Sequence, residues 1–303
     1  MCGIVGLHLK DPALYPQLGR LTTQMLCQVS DRGPDSAGVA LYGDARTAPP
    51  QLAAVSLLTP DLAPAAAAAA VRERLEAAGL EAAVTVYDAG QSIVVRAAVD
   101  QDELRAATVA ALPEAVVIGY GEQFAVHKGV GHPQLLAEQF GLAQASGWQS
   151  VAHTRMATES AVTPAGSHPF SVGPGQCLVH NGSFANHATI RRDLQADGVH
   201  FDSDNDSEVG ARFVAHQLAQ GTDVDKALRL LCERFDGFYT LLVTTPDSFA
   251  VVRDAIACKP AVIAVTPRWV AMASEYRALS GLPGADTAEI FEPEPEEVYL
   301  WRR

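Results

Sequence analysis

Cysteine stands at the second position, in Met1-Cys2-Gly3-Ile4-Val5-Gly6. Removal of Met1 would leave one residue holding both a thiol nucleophile and a free α-amine. That amine is a usable base near neutral pH, since an α-amino group titrates near about 8 and a lysine amine near about 10.4. A residue carrying its own base begins acyl transfer without a separate histidine. Alone, a free cysteine is more often a small core hydrophobe, so the reading depends on its companions.

Hydrolysing a carboxamide with a thiol also needs oxyanion donors and groups that position the substrate. His180-Asn181-Gly182 is expected to follow a strand and reach a turn. The Asn side-chain amide and the Gly backbone N–H are suitable donors, although an Asn-Gly pair is also an ordinary β-turn signal. Arg155, ending His153-Thr154-Arg155, can clamp a carboxylate through two parallel hydrogen bonds. Its plain alternative is a surface ion pair. Asp206, in Asp204-Asn205-Asp206-Ser207-Glu208, can take an ammonium, with helix capping as the alternative. A thiol, oxyanion donors, a positive clamp and a negative clamp together suit an amino acid with a side-chain amide, glutamine or asparagine.

The elements that must carry these residues follow from pattern. Strands are expected at Gly3–Leu9, Ala37–Tyr42, Ser150–His153, Gln176–Asn181, Phe238–Thr244, Ser248–Arg253, Pro260–Val265 and Val270–Ser274, with a last one ending near Trp301. Helices are expected at Tyr15–Gln28, His132–Ala145, Ala185–Ala196, Ser207–Ala219 and Val224–Phe235. Between residues 44 and 131 the pattern reads as an inserted unit. It comprises strand Gln51–Leu58, helix Pro64–Ala78, strands Ala82–Tyr87 and Ser92–Val99, helix Asp102–Leu112 and strand Ala115–Val126. That β-α-β-β-α-β order is the split arrangement of ferredoxin-like units. Ala65–Ala70 invites a linker reading, but Val71, Leu75 and Leu80 give the helix an apolar face.

The 303 residues carry 22 basic and 35 acidic side chains, a formal charge of −13. This balance argues against nucleic acid or anionic membrane as partner. No apolar run approaches the ~20 residues of a spanning helix, and the N-terminus does not read as a secretory leader. Cys2, Cys27, Cys177, Cys232 and Cys258 are odd in number and widely spaced, as in a reduced, cytoplasmic protein. No metal-ligand spacing is complete, and neither metal nor cofactor is expected.

The segments Cys2-Gly3-Ile4-Val5-Gly6, Arg32-Gly33-Pro34-Asp35-Ser36, His153-Thr154-Arg155-Met156-Ala157-Thr158, His168-Pro169-Phe170, His180-Asn181-Gly182, Asp206-Ser207-Glu208 and Asp236-Gly237 occur in this order. Arg253-Asp254, Lys259-Pro260 and Ala273-Ser274-Glu275 continue the series. The ordered set resembles the class II glutamine amidotransferases of the N-terminal nucleophile hydrolase superfamily. The resemblance spans nearly the whole chain outside the insert.

It implies an α+β fold, a four-layer αββα sandwich, here with the inserted ferredoxin-like unit. It implies that Cys2 attacks the glutamine δ-carbonyl to form a thioester, with Asn181 and Gly182 as oxyanion hole. Arg155 would bind the α-carboxylate and Asp206 the α-ammonium. Arg32 would order the nucleophile's surroundings, and His153, Thr158 and His168 would serve the substrate pocket. Met156 and Glu159 depart from the family pattern and bear on the lid over glutamine.

The ammonia released would pass to a second active site. No phosphate-binding loop, flavin motif or iron–sulfur cysteine cluster is evident, so that site is expected on another chain of a hetero-oligomer. The chain is similar to the amidotransferase-like subunit of glutamate-synthase-type complexes, the N-methylglutamate synthase group in particular. The partners there resemble the FMN-binding and iron–sulfur parts of glutamate synthase. Two other readings stay open: an N-terminal nucleophile amidase for another amide, and a non-catalytic scaffold subunit.

Overall fold

The computed structural model describes residues 2–58, 62–156 and 163–303; Thr158 and Glu159 lie outside these residues. The chain opens with β1 (Gly3–Leu9), a 3-10 turn (Pro12–Gln17) and α1 (Leu18–Val29), then β2 (Ser36–Tyr42). The α-helix starts later than the expected Tyr15, because Pro16 offers no N–H to a helical ladder and the segment around it winds more tightly.

Next come β3 (Ala53–Leu58), α2 (Pro64–Ala77), β4 (Thr85–Asp88), β5 (Ile93–Ala97), α3 (Gln101–Ala111) and β6 (Val116–Glu122). They form an antiparallel sheet in the order β4-β5-β3-β6, the split β-α-β-β-α-β topology. Alternation along β3 sends Val55 and Leu57 toward Val71 and Leu75 of α2 and Leu104 of α3.

The single strand expected over Ala115–Val126 is in fact two. Gln123 adopts a positive φ of 49° and breaks it. Beyond the break, β7 (Phe124–Val130) leaves the third sheet and pairs with β2. The outward edge of β7 is held by side chains. Gln91 accepts from Val130 N and donates to Val130 O, and Ser56 Oγ accepts from Val126 N. The helix expected over His132–Ala145 is likewise split, into α4 (Pro133–Gln139) and a 3-10 turn (Leu142–Gln144), because Gly141 turns left-handed at φ 61°.

The second half runs β8 (Gln149–Arg155), β9 (Cys177–Phe184), α5 (His187–Ala196), α6 (Asp206–Ala219), α7 (Val224–Arg234), β10 (Gly237–Thr245), β11 (Ser248–Arg253), β12 (Val262–Val265), β13 (Trp269–Ala273), β14 (Glu289–Phe291) and β15 (Tyr299–Arg302). A seven-stranded sheet has the order β14-β12-β13-β1-β8-β2-β7, and a four-stranded sheet the order β15-β11-β10-β9.

Period-two alternation assigns the layers. Val5, Leu7 and Leu9 of β1 pack with Leu18, Leu21 and Met25 of α1 on the outer face of the large sheet. Ile4 faces inward with Val151, Val179, Leu242 and Met272, forming the core between the sheets. Leu178, Leu241 and Val243 point outward from the smaller sheet onto Val214 and Leu228 of α6 and α7. The sequence of layers is helix, sheet, sheet, helix, the expected αββα sandwich. Gly6 permits the sheets to approach: a Cβ there would lie 2.4 Å from Leu242 Cδ2. Among the described residues, no helix is long and apolar enough to cross a membrane.

Candidate active site

Central strands β1 and β8 run antiparallel, with Gly3 opposite Thr154 and Ile4 opposite His153. This register brings the chain start beside Arg155 at the end of β8. Thr154 turns the other way and donates from Oγ1 to Val29 O at the end of α1. The chain start is tied to β13 as well: Ile4 N donates to Ser274 Oγ and Ser274 N to Ile4 O, both over 2.9 Å.

Cys2 is half-buried one residue before β1. Its carbonyl oxygen accepts from Arg32 Nε at 2.9 Å and from Asn181 Nδ2 at 3.3 Å. Three sequence-predicted residues from distant parts of the chain thus meet at one point. The loop bearing Arg32 is docked on β8. Asp35 N donates to Arg155 O at 3.1 Å, and a Cβ on Gly33 would lie 2.5 Å from Arg155 N. Arg32 also forms an ion pair with Glu275 at 2.8 Å, and Glu275 receives Arg277 at 2.6 Å. The Arg32 hydrogen bond is the main cause holding the Glu275 carboxyl below its ordinary range. Glu275 and Ser274 were not assigned roles from sequence. Their triplet carried the family pattern, but their partners lie 270 residues away for Ser274 and 243 for Glu275, and only the fold reveals them.

Asn181 and Gly182 lie within β9, not at a turn after it. The strand continues to Phe184, pairing Gly182 with Tyr239 of β10. Gly182 has φ 148°, and a Cβ there would meet Phe238 O at 2.0 Å. Glycine is therefore required by close backbone approach as well as by conformation. β9 is the edge strand of its sheet, so this irregularity falls where the ladder has a neighbour on one side only.

Asp206 opens α6, but Asn205 is the cap: its side chain accepts from Ser207 N at 2.8 Å. Asp206 Oδ2 instead accepts from Phe184 N at 2.9 Å, fastening the helix start to the end of β9. Arg155 and Asp206 are thereby held on segments flanking Cys2 and Asn181.

His153 and His168 are buried. Their rings lie 4.1 Å apart, and His180 lies 6.4 Å from His168. His180 stacks on Phe184 at 4.3 Å and its Nδ1 is 2.8 Å from Ser207 Oγ. Burial, reinforced by mutual repulsion, lowers the pKa of His153 to about 3 and that of His168 well below the usual imidazole value. Burial brings His180 to about 4. All three are neutral at physiological pH. The 168–170 segment lies close against β2, where a Cβ on Gly38 would sit 2.2 Å from His168 O.

Chemically, the assembly offers a thiol beside a carboxamide donor, a guanidinium on the thiol residue's main chain, and a cation and a carboxylate on the flanks. The imidazoles nearby are too poorly basic to take a thiol proton at neutral pH.

A family model described as a glutamine amidotransferase domain matches residues 153–281. The chain is similar to the glutamine amidotransferase-like protein GlxB of Rhizobium meliloti (strain 1021), 45% identical over 301 residues, which cover 99% of this chain and 98% of that protein. The glutamine–fructose-6-phosphate aminotransferase (isomerizing) of Thermococcus kodakarensis is 34% identical over 143 residues, covering 46% of this chain and 24% of that one. Among solved structures, glutamine phosphoribosylpyrophosphate amidotransferase from B. subtilis superposes with a TM-score of 0.60 at 17% identity, over 99% of this chain and 49% of that chain. At that identity the likeness concerns the fold.

Proposed function

Because the chain belongs to the glutamine amidotransferases, we propose that Cys2, exposed by removal of Met1, hydrolyses L-glutamine to glutamate and ammonia through a thioester. The α-amine of Cys2 takes the thiol proton as Sγ bonds to the side-chain amide carbon. The oxyanion so formed accepts from Asn181 Nδ2 and the Gly182 N–H. Collapse breaks the C–N bond, and the protonated α-amine returns its proton to the departing nitrogen, releasing ammonia. Water then attacks the thioester, restoring the thiol and giving glutamate. Arg155 holds the α-carboxylate and Asp206 the α-ammonium. Arg32 fixes the Cys2 main chain, while Thr158, His168 and His153 belong to the substrate pocket and its support.

The observation that carries this reading is the Asn181 amide 3.3 Å from the Cys2 carbonyl oxygen, in a chain 45% identical to a glutamine amidotransferase-like protein along its whole length. A preorganised donor beside the nucleophile is what an acyl-transfer transition state requires. Neutral buried imidazoles leave the α-amine as the base.

The ammonia is taken up by a partner synthase of glutamate-synthase type, whose subunits resemble its FMN and iron–sulfur parts, in a hetero-oligomer. This part rests on the sequence resemblance. A cytoplasmic setting is supported by five cysteines that are all unbridged. The proposed amidotransferase domain spans 1–303. The unit read from sequence as 44–131 contributes the sheet β4-β5-β3-β6 up to Glu122, while its last stretch, β7, belongs to the large sheet.

The test is labelling with an electrophilic glutamine analogue, followed by peptide mapping. The label is expected on Cys2 of protein lacking Met1, and Cys2→Ala should abolish both labelling and glutamate release. Label on another cysteine, or an active protein retaining Met1, would overturn the proposal.

A further inference from the structure

A cavity of about 430 Å³ opens between the third sheet and the start of α6. Val117 and Ile118 of β6 form one wall, Phe170 and Val172 the other, and Lys128 of β7 reaches in between. Neither Cys2, Arg155, Asn181, Gly182 nor Asp206 lines it. Its size lies within the range of small-molecule sites, roughly 300–1,000 Å³.

The charges around it are unevenly matched. Arg212 is paired with Asp202 at 2.6 Å and with Glu208 at 3.1 Å. Glu208 also accepts from Asp202 N, Ser203 N and Ser203 Oγ. These two acids are thus already satisfied. Lys128 is only 3% exposed; its Nζ lies 4.8 Å from the centre of the Phe170 ring, and Cys177 and Glu208 act on its charge without a hydrogen bond or ion pair to it. Among the described residues it makes no ion pair or hydrogen bond. Burial lowers its pKa to about 8, which still leaves it mostly protonated at neutral pH. A buried ammonium with no direct ion pair, Glu208 being committed to Arg212 and to Asp202 and Ser203, is unfavourable, and an anion arriving at this point would be held. Exposed Arg105 lies over the Tyr120 ring at the mouth, with its centre 5.2 Å from the ring centroid, adding a second cation.

We propose that this cavity binds a small organic anion with an apolar body. Its carboxylate, sulfonate or phosphate meets Lys128, with Arg105 at the entrance, and its body lies between Ile118 and Phe170. The cavity shares no lining residue with the site assigned to glutamine, although Phe170 lies between Lys128 and His168.

The probe is 1-anilinonaphthalene-8-sulfonate, titrated by fluorescence against the full chain, with uncharged N-phenyl-1-naphthylamine as control. Saturable one-to-one binding is expected. Lys128→Met should weaken the sulfonate at least tenfold and leave the uncharged dye within twofold. Arg105→Met, altered at the exposed rim where folding is not at stake, should weaken the sulfonate about threefold. Val117→Trp, which fills the cavity, should weaken both dyes. Prior labelling with the electrophilic glutamine analogue should change nothing. The proposal is overturned if the sulfonate binds without saturation, if neither loss of charge shifts its affinity relative to the uncharged dye, or if the glutamine analogue displaces it.

Discussion

Arg32 donates from Nε to the carbonyl oxygen of Cys2 over 2.9 Å, across 30 positions of sequence. Its guanidinium is in turn braced by Glu275. Arg32 therefore acts on the main chain of Cys2, the proposed nucleophile, and Glu275 acts through Arg32. Glu275→Gln should lower kcat about tenfold, since small misplacements of reacting groups are costly, with KM within about twofold. The melting temperature should barely move, because partly exposed ion pairs contribute about 0–1 kcal/mol. Steady-state kinetics beside calorimetry checks this. A loss of stability that matches the loss of rate would reduce Glu275 to a structural role.

Asn181 and Gly182 are neighbours whose substitution should fail differently. Asn181→Ala removes a donor and should cut kcat by about 10²–10³ while glutamine binding persists. Gly182→Ala places a Cβ against Phe238 O at a φ of 148°. It should destabilise the fold by about 2 kcal/mol or more as well as lose activity. Denaturant unfolding of both variants separates the two cases, and a Gly182→Ala protein as stable as the parent contradicts the close approach described for β9.

Arg155 and Asp206 are the proposed clamps for the two ends of an amino acid, which other amides would not need. Arg155→Lys keeps a charge but loses the two-pronged geometry, and should raise the glutamine KM by about tenfold or more. Asp206→Asn keeps an oxygen for Phe184 N and should raise KM with little change in stability. Kinetics with glutamine decides: unchanged KM values in both variants would favour an amidase for another amide.

Stability should fall on mild acidification. His8, His127, His153, His168 and His180 are buried, and burial lowers the pKa of each, to about 4 for His127 and about 3 for His153. Below the unfolded value near 6.5 the unfolded chain binds more protons than the folded one. The stability is therefore complete above about pH 6.5 and declines toward pH 3–4, by up to about 1.4 kcal/mol per pH unit for each imidazole. Glu275, whose folded pKa is lowered, has the carboxylate sign: its contribution is present above its ordinary value of 4.5 and is lost only as pH falls below it. Urea midpoints at pH 7.5 and 5.5 isolate the histidines. Equal midpoints would mean that the imidazoles do not remain neutral in the fold.

Alternating strands such as β1 and β11 and amphipathic α7 were legible because local pattern and burial agree. The order of the insert was legible for the same reason. What escaped depends on partners far away in sequence. Asn181-Gly182 carries the signal of a turn, yet Gly182 is required because Phe238 passes beside it. Gln123 and Gly141 interrupt elements whose hydrophobic pattern runs on across them. Chemistry-bearing residue types at the chain start and in the His153, His180 and Asp206 segments were visible in advance. That Cys2, Arg32 and Asn181 belong together followed from the family resemblance and not from their spacing; the contacts by which they meet, and the sealing of His153 against His168, emerge only from the fold. Lys128 offered no signal at all, since its neighbours in sequence are ordinary strand residues.

The side chains of Gln91 and Ser56 have a consequence beyond local structure. They occupy backbone groups at Val130 and Val126 that a foreign strand would otherwise seek. An unpaired margin of this kind is a template for self-association. The inserted unit is thus a guard for the large sheet, and a variant with it excised would be left with an adhesive border prone to polymerise.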